Sequence, residues 1–445
     1  MHTCSRKGMM SSSAESNTRE RGQSIVVREI RSPSAGGVRA GGDISEVAFS
    51  ADGAHLLTGA KNFAVRVWGT CSGEVELLAP PLAGSNEDGG YHAGHLSCDI
   101  VLHHQSRGML MAAGGATGGV LVWDCCGPSM GNDSSSSGGS SSSSSSSSSS
   151  KEGLRTRPTS NLRNNGHEYG VPVCHLAAYP DGSSFVSADT TTLKARSFTA
   201  SSSFWCAKDF TCKRTIRSTF EVKILVVSAR GKFVFVAGEK GCGGRRTTKQ
   251  RPVVAVWDGR KRGKIYPGFG GERDPTRLLT GHGRPIRSLY TPHNPDVLVT
   301  TALDATVKVW DVPTGTCTKT IWSKGGLQSP LSNAGLVNRG AWLLTSYDDG
   351  SLQVWGIQTG KCLLTLVNAA AAAAAADGAV VLPRPGAVRL AVSRCGRLVA
   401  FAIGARIKVI DFDRLADRSG AGGKSGHLAA AYLRQALHFV VSPTT

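Results

Sequence analysis

Residues 306–321 read TVKVWDVPTGTCTKTI, and this stretch predicts a β-hairpin. Its first five residues place Val307 and Val309 on one side and Lys308 and Trp310 on the other, which is the two-residue period of a strand. A Thr-Gly pair at 314–315 is typical of a turn. The β-branched residues that follow predict a second strand, so the first strand ends at a Trp-Asp pair.

The same pattern returns along the chain. Trp310, Gly315 and Cys317 have the same spacing as a second tryptophan, glycine and cysteine within residues 351–366, which read SLQVWGIQTGKCLLTL. Other strand-like segments also end in tryptophan, and a last unit has isoleucine at that position. These positions are Trp68, Trp123, Trp205, Trp257, Trp310, Trp355 and Ile410. The sequence therefore contains seven repeat units.

Each unit also has a similar upstream half. Residues 47–68 and 289–310 both show a short strand, a polar turn, an apolar strand, a tight turn and the strand that ends in tryptophan. With the strand after the glycine, each unit predicts a four-stranded antiparallel meander. The fold class is therefore all-β. In the third unit, either TLKARSF or SSFWC fits the third strand.

Over residues 24–412 the repeat resembles the WD-repeat family of β-propellers. The resemblance implies a seven-bladed β-propeller of four-stranded antiparallel blades. One such sheet cannot bury both faces alone, so sheets stacked in a ring bury each face against a neighbour. Residues 24–32 alternate apolar and polar side chains, and we expect them to form the outer strand of the seventh blade and close the ring.

The remaining segments are assigned from their composition. Residues 1–23 are expected to be a disordered tail, since Glu15 and Glu20 disfavour a transit peptide. A Ser-rich insertion is expected at 133–165 and an Ala-rich insertion at 368–384. Residues 413–445 form a C-terminal extension, within which the helical spacing of leucines predicts a short helix over 427–439.

The resemblance also implies a hydrogen-bonded network in each complete blade, which links a Gly-His histidine, a second-strand Ser or Thr, a turn Asp and the Trp. Only the fifth blade has all four, and the first and sixth have parts of the set. These structural residues are His282, Thr300, Asp304 and Trp310, then Thr58 and Trp68, then Thr345, Asp349 and Trp355. The second and third blades have Gly-His but lack a clear turn Asp, and the fourth has Arg251 at that position.

The sequence contains no pattern that indicates catalysis. The chain has 12 cysteines but no CxxC pair, so neither a zinc site nor a disulfide framework is indicated. The histidines occur at the repeat position and lack a partner nucleophile. We therefore predict no catalytic residues, no metal and no cofactor. No apolar run is long enough to cross a bilayer, and no secretory signal is evident, so a cytoplasmic or nuclear location is expected.

Charge is the most informative departure from an ordinary propeller. The formal net charge is +19, and residues 208–287 contain 20 Lys and Arg against six Asp and Glu. Because the strands of a blade are antiparallel, the loops between second and third strands lie on the same face as the loops that lead from one blade to the next. The basic residues of these loops therefore predict one basic partner-binding face. Its residues are Arg245, Arg246, Lys249, Arg251, Arg273, Arg277 and Arg284. The alternative interpretation is solvated loop charge that keeps the protein soluble.

Two functions remain open. The first is a non-catalytic scaffold for protein partners: a monomeric propeller within an intracellular complex, with no membrane contact. The second is RNA or ribonucleoprotein binding through the basic face of the fourth and fifth blades. Aromatic residues are scarce nearby, which disfavours base stacking and favours contacts with the phosphate backbone. The basic face suits either an acidic protein segment or RNA.

Overall fold

The computed structural model describes an all-β propeller of antiparallel sheets. It describes residues 26–31, 44–79, 98–124, 160–258, 275–322, 330–368, 380–382 and 388–412, with short gaps inside these ranges. The strands of the described part form seven sheets, each built mainly from strands that follow one another in the chain. The first strand, β1 (Val26–Arg31), is the exception, because it joins the seventh sheet.

The first three sheets are four-stranded. The first contains β2 (Ile44–Phe49), β3 (His55–Ala60), β4 (Val65–Gly69) and β5 (Val75–Ala79). The second contains β6 (Cys98–His104), β7 (Gly108–Gly114), β8 (Val120–Asp124) and β9 (Ser160–Leu162). The third contains β10 (Val173–Ala178), β11 (Ser184–Asp189), β12 (Ala200–Cys206) and β13 (Cys212–Ser218). SSFWC, at the end of β12, is therefore the third strand of its unit.

The other sheets follow the same plan. The fourth contains β14 (Glu221–Val227), β15 (Phe233–Gly241), β16 (Gln250–Asp258) and β17 (Arg277–Thr280). The fifth contains β18 (Ile286–Tyr290), β19 (Val297–Ala302), β20 (Thr306–Asp311) and β21 (Thr316–Trp322). The sixth contains β22 (Leu331–Val337), β23 (Trp342–Tyr347), β24 (Leu352–Gly356), β25 (Cys362–Asn368) and β26 (Val380–Leu382). The seventh contains β27 (Val388–Val392), β28 (Leu398–Ile403), β29 (Arg406–Asp411) and β1.

The hydrophobic core lies between the sheets. Leu344 of the sixth sheet packs in one cluster with Phe401 of the seventh, and Trp68 of the first sheet packs with Ala400 of the seventh. These side chains are almost fully buried. Burial of a large apolar side chain contributes roughly 1.5–3 kcal/mol. Each sheet is therefore stabilised mainly by its two neighbours, as expected of a propeller.

The first strand of each sheet lies nearest the centre. Contacts join β2 to β27, β27 to β22, β22 to β18, β18 to β14, β14 to β10 and β10 to β6, and β6 also contacts β3. The series returns from the seventh sheet to the first. The strand that begins each unit therefore faces the axis, and the tryptophan-bearing third strand lies farther out.

The N-terminal strand closes this arrangement as the sequence predicts. β1 pairs antiparallel with β29, with Ile30 opposite Ile407 and Arg31 opposite Arg406. The outer strand of the seventh sheet thus comes from the opposite end of the chain to its other three strands. The prediction for residues 24–32 is confirmed for residues 26–31, and the rest of that segment lies outside the described residues.

Both low-complexity insertions are shorter than predicted. Residues 160–162, inside the predicted 133–165 insertion, form β9 and pair with β8. Residues 380–382, inside the predicted 368–384 insertion, form β26, which pairs parallel to β25 as a fifth strand. The boundaries from composition are wrong because an edge strand of three residues has too little sequence to change the local composition. The predicted tail at 1–23 and the predicted helix at 427–439 lie outside the described residues.

Candidate functional site: two turn faces and an axial cavity

A network of side chains fixes the loop before the fifth sheet. His282 contacts Asp304 Oδ2 through Nδ1 at 3.1 Å and Thr300 Oγ1 through Nε2 at 2.6 Å. Trp310 donates from Nε1 to the same Thr300 oxygen at 2.9 Å. Thr306 donates from Oγ1 to Asp304 Oδ1 at 2.6 Å. The network therefore joins the loop, the second strand, the turn and the third strand in the arrangement that the sequence predicts.

The carboxylate of this network is held in its charged form. Burial alone would raise the pKa of Asp304. Hydrogen bonds from His282, from Thr306 and from the backbone N–H of Gly283, together with the charge of His282, outweigh burial and hold that pKa well below its ordinary value. Because the aspartate accepts several hydrogen bonds at once, it fixes the turn that precedes β20.

The third sheet contains a network that the sequence interpretation missed. His167 contacts Asp189 Oδ2 through Nδ1 at 2.9 Å and Ser187 Oγ through Nε2 at 2.5 Å. Asp189 is the last residue of β11, two positions after Ser187, whereas Asp304 follows Thr300 by four. The sequence interpretation expects the aspartate at the same distance from the second-strand Ser or Thr in every blade, and Asp189 does not have that spacing. The strand register is the signal that would have found it, since Ser187 pairs with Leu176 as Thr300 pairs with Leu289.

The first and sixth sheets keep only the tryptophan part of the network. Trp68 donates from Nε1 to Thr58 Oγ1 at 2.9 Å, and Trp355 donates from Nε1 to Thr345 Oγ1 at 3.3 Å. Asp349 accepts the backbone N–H of Ser351 at 2.8 Å and so caps its own turn. These residues hold strands together, and none of them faces a candidate ligand.

The basic residues predicted to share one face do not all lie together. Arg245, Arg246, Lys249 and Arg273 lie outside the described residues. Arg251 is at the start of β16, and Arg284 is exposed in the loop between β17 and β18. Both lie on what we call the b–c face, where second and third strands join and one sheet leads to the next.

Arg277 lies on the opposite face, so its predicted location is wrong. It is the first residue of β17 and pairs with Val256, near the end of β16. Its Nη1 donates to the carbonyl of Thr314 at 3.1 Å, in the turn between the third and fourth strands of the fifth sheet. This is the a–b face, where first and second strands join. The sequence interpretation places Arg277 in the loop that follows the outer strand. In the structure Arg277 is the first residue of that strand, so it lies at the end that belongs to the a–b face.

The fourth sheet extends beyond its neighbours on the b–c face. Its second and third strands are nine residues long, and Lys240 pairs directly opposite Arg251. The outer strand β17 ends opposite Val253, so these two exposed cations lie past it. Like charges in a cross-strand pair are destabilising. The hairpin therefore presents concentrated positive charge on this face at some cost in stability.

A cavity of about 300 Å³ lies at the axis, which the sequence interpretation also missed. It is lined by residues of the first strands of six sheets, among them Val47, Ile224 and Leu289. The polar groups on its wall include His175 and Tyr290. Burial, with a smaller contribution from Lys223, lowers the pKa of His175 to about 4, so this imidazole is neutral near pH 7.

One cation on the cavity wall, Arg394, has a buried nitrogen that no described residue satisfies. Arg394 lies in the turn after β27, and its Nη1 is buried without a hydrogen-bond acceptor among the described residues. Burial lowers its pKa to about 10, and nearby Tyr290 opposes that shift. The side chain is still charged near pH 7. A buried cation without a partner is unfavourable, so its presence needs an explanation.

Comparison with known proteins finds WD-repeat matches in two parts of the chain. The model of the WD domain, G-beta repeat, matches residues 38–69 and 273–311, and the second match contains the complete His282 network. Two segments of the chain thus match the WD repeat, in agreement with the propeller arrangement of its sheets. The chain is also similar to WD repeat-containing protein 18 of Homo sapiens, at 27% identity over 96 residues, which cover 22% of this chain and 20% of that protein. The alignment thus spans about a fifth of that relative.

The fourth sheet departs from the network of the first, fifth and sixth sheets. Trp257 Nε1 is buried and has no hydrogen-bond acceptor among the described residues. In the first, fifth and sixth sheets the acceptor is a threonine of the second strand. It pairs with the third-strand residue that lies two positions before the tryptophan. In the fourth sheet the residue at this place is Val236, which pairs with Ala255. A valine cannot accept the hydrogen bond, so the fourth sheet lacks this side-chain link between its second and third strands.

Two kinds of site are not found in the part of the chain that the structure describes. No group of three or more His, Cys, Asp or Glu side chains there is placed to hold a metal ion. Among the same residues, no helix is long and apolar enough to cross a membrane. The propeller therefore presents turns, a basic hairpin and an axial cavity as its candidate sites.

Proposed function

We propose that this WD-repeat propeller is a non-catalytic scaffold that binds protein partners through its turn faces. WD-repeat proteins generally mediate protein–protein interactions. The observation that carries the proposal is the anchoring of turns by the His167 and His282 networks. A turn held at several hydrogen bonds presents its exposed side chains in a fixed arrangement, which lowers the entropic cost of binding.

The scaffold is further proposed to be one seven-bladed ring over residues 24–412. The seven sheets and the contacts that lead from each to the next support this number of blades. The pairing of β1 with β29 supports a single closed ring, because it gives the seventh sheet its fourth strand. We expect the protein to work as a monomer within a larger complex, in the cytoplasm or the nucleus.

Affinity purification of the full chain, with and without nuclease, tests the scaffold function. Protein partners that remain after nuclease treatment support scaffolding. The b–c face is tested with the double charge reversal Lys240→Glu and Arg251→Glu. Lys361→Glu is the matched control, because Lys361 is exposed in a turn on the opposite face. If no protein is retained more strongly than on an equally basic control protein, the scaffold proposal is wrong.

RNA binding is the second candidate, and the Lys240–Arg251 pair favours it. Two exposed cations side by side match successive phosphates better than they match each other. Fluorescence anisotropy of a single-stranded RNA should show affinity that falls with salt. The double charge reversal should reduce the slope of log K against log salt by about 1–1.5, because each lost phosphate contact removes about 0.7. An unchanged slope in that variant would reject RNA binding at this hairpin.

A further inference from the structure

The polar groups on the wall of the axial cavity are almost all satisfied by the protein itself. Tyr290 donates to the carbonyls of Ser393 at 2.9 Å and Leu336 at 3.2 Å. Asn333 donates from Nδ2 to the carbonyl of Leu390 at 2.8 Å and accepts from the backbone N–H of Ala334. Ser50 is bonded to Asp52 and to the backbone of His55. These groups shape the cavity but are not available to a ligand.

Arg394 differs from them because its buried guanidinium nitrogen is unused. The turn that carries it is rigid: the backbone N–H of Leu398 donates to Ser393 Oγ at 2.9 Å, and Gly396 donates its N–H to the carbonyl of Ser393 at 2.8 Å. The backbone that carries Arg394 is thus fixed beside the cavity. No acidic side chain is present among the described residues that line the cavity. The site has a single positive charge on a largely apolar surface.

We propose that the axial cavity binds a carboxylate on a small apolar body, with Arg394 as its charge partner. A carboxylate accepts charge-assisted hydrogen bonds from a guanidinium, and Nη1 of Arg394 has unused N–H donors. A phosphate dianion is a poorer fit, because a single cation would leave part of its charge uncompensated. Two sources carry this chemistry: a free organic acid, and an acidic side chain that a protein partner inserts from the a–b face.

The test compares acids with amides of the same shape. Ligand-observed NMR titrations would use isobutyrate against isobutyramide, and a blocked Gly-Glu-Gly tripeptide against its Gln analogue. The unsubstituted protein should prefer each acid over its amide by at least about tenfold, since a hydrogen bond to a charged group exceeds that ratio. Isobutyrate binding without tripeptide binding would assign the site to a free acid, and tripeptide binding would assign it to a protein side chain.

Arg394→Gln should weaken binding of the acid by about tenfold or more, because the charge partner is gone. Arg230→Gln is the matched control, since Arg230 is an exposed residue of another turn on the same face and does not line the cavity. It should leave the affinity unchanged. Equal affinity for acid and amide, undiminished binding by Arg394→Gln, or no binding of either acid would overturn the proposal. The comparison of acid with amide remains decisive if Arg394→Gln does not fold.

Discussion

At the scale of single residues, the tryptophans show how one missing oxygen changes a sheet. Trp68, Trp310 and Trp355 each donate to a threonine hydroxyl, whereas Trp257 has no acceptor in the part of the chain that the structure describes. Replacing Val236 by threonine puts a hydroxyl in the equivalent position. We expect Val236→Thr to raise the free energy of unfolding by about 1 kcal/mol, because it satisfies a buried N–H. Urea denaturation, followed by fluorescence, measures the change.

The control for this prediction is a valine that faces no unsatisfied donor. Val254 lies on the neighbouring strand and is fully buried. Val254→Thr buries a hydroxyl without a partner and should lower stability by about 1–3 kcal/mol. If both substitutions destabilise the protein equally, Val236 does not occupy the acceptor position.

Asp304 gives the fold a dependence on pH. Its pKa is lower in the folded protein than in the unfolded chain. Its contribution to stability is therefore fully present above the unfolded pKa of about 4 and is lost as the pH falls below it. Asp304→Asn should lower stability at pH 7 by about 1–3 kcal/mol, and the difference from the unsubstituted protein should shrink below pH 4.

Urea midpoints between pH 7 and pH 3.5 would measure this effect. Asp181→Asn is a suitable control, because Asp181 is exposed and accepts hydrogen bonds only within its own turn. Its effect should be smaller and nearly independent of pH. A pH-independent loss in Asp304→Asn would show that the carboxylate charge does not stabilise the network.

At the scale of elements, the turns on the a–b face pack against one another. Gly396 has a φ of +72°, and a Cβ there would lie 2.7 Å from the carbonyl oxygen of Leu336 in the sixth sheet. Gly396→Ala must therefore strain the turn and separate two sheets. We expect a loss of about 2–4 kcal/mol, because the left-handed conformation alone costs an alanine roughly 1–2 kcal/mol.

Gly340→Ala separates these two causes. Gly340 has a φ of +86°, but a Cβ there would meet nothing within 4 Å. This variant should lose only the conformational part, about 1–2 kcal/mol. Thermal or urea denaturation of both proteins gives the difference, which measures the contact between sheets. Equal losses would mean that the sixth and seventh sheets adapt to the added methyl group.

Elements with a strong local signal were predictable from the sequence, and those that depend on register were not. The alternation that ends at Trp310 correctly predicts a third strand, and TVKVW needs no tertiary information. The roles of Asp189 and Val236 were not predictable, because they depend on which residues pair across neighbouring strands. The spacing of such residues along the chain changes with the length of the loop between the strands. Arg277 was misplaced for the same reason, since only the paired strand shows which end it occupies.

At the scale of the whole molecule, the axial cavity was beyond sequence reasoning. Six sheets each contribute a few residues to it, from Val47 to Arg394. No local pattern marks them as neighbours, because their proximity exists only when the ring is assembled. The same assembly explains why an arginine in an ordinary turn becomes a buried cation.

Ring closure by β1 gives the last prediction. Without β1, the backbone of β29 is left unpaired along its outer edge, and the seventh sheet loses its link to the start of the chain. A chain that begins at residue 33 should therefore melt at least about 5 °C lower than the full chain, since a few kcal/mol shifts the midpoint by that much.

Removal of residues 1–23 is the matched control, because it shortens the same terminus but keeps β1. That variant should melt as the full chain does. Differential scanning calorimetry would compare the three proteins. The seventh sheet contains strands from both ends of the described chain, so its stability depends on both. Since the first and sixth sheets pack against the seventh sheet, loss of β1 should also weaken them. If the chain that begins at residue 33 melts at an unchanged temperature, β1 pairs with β29 without stabilising the ring.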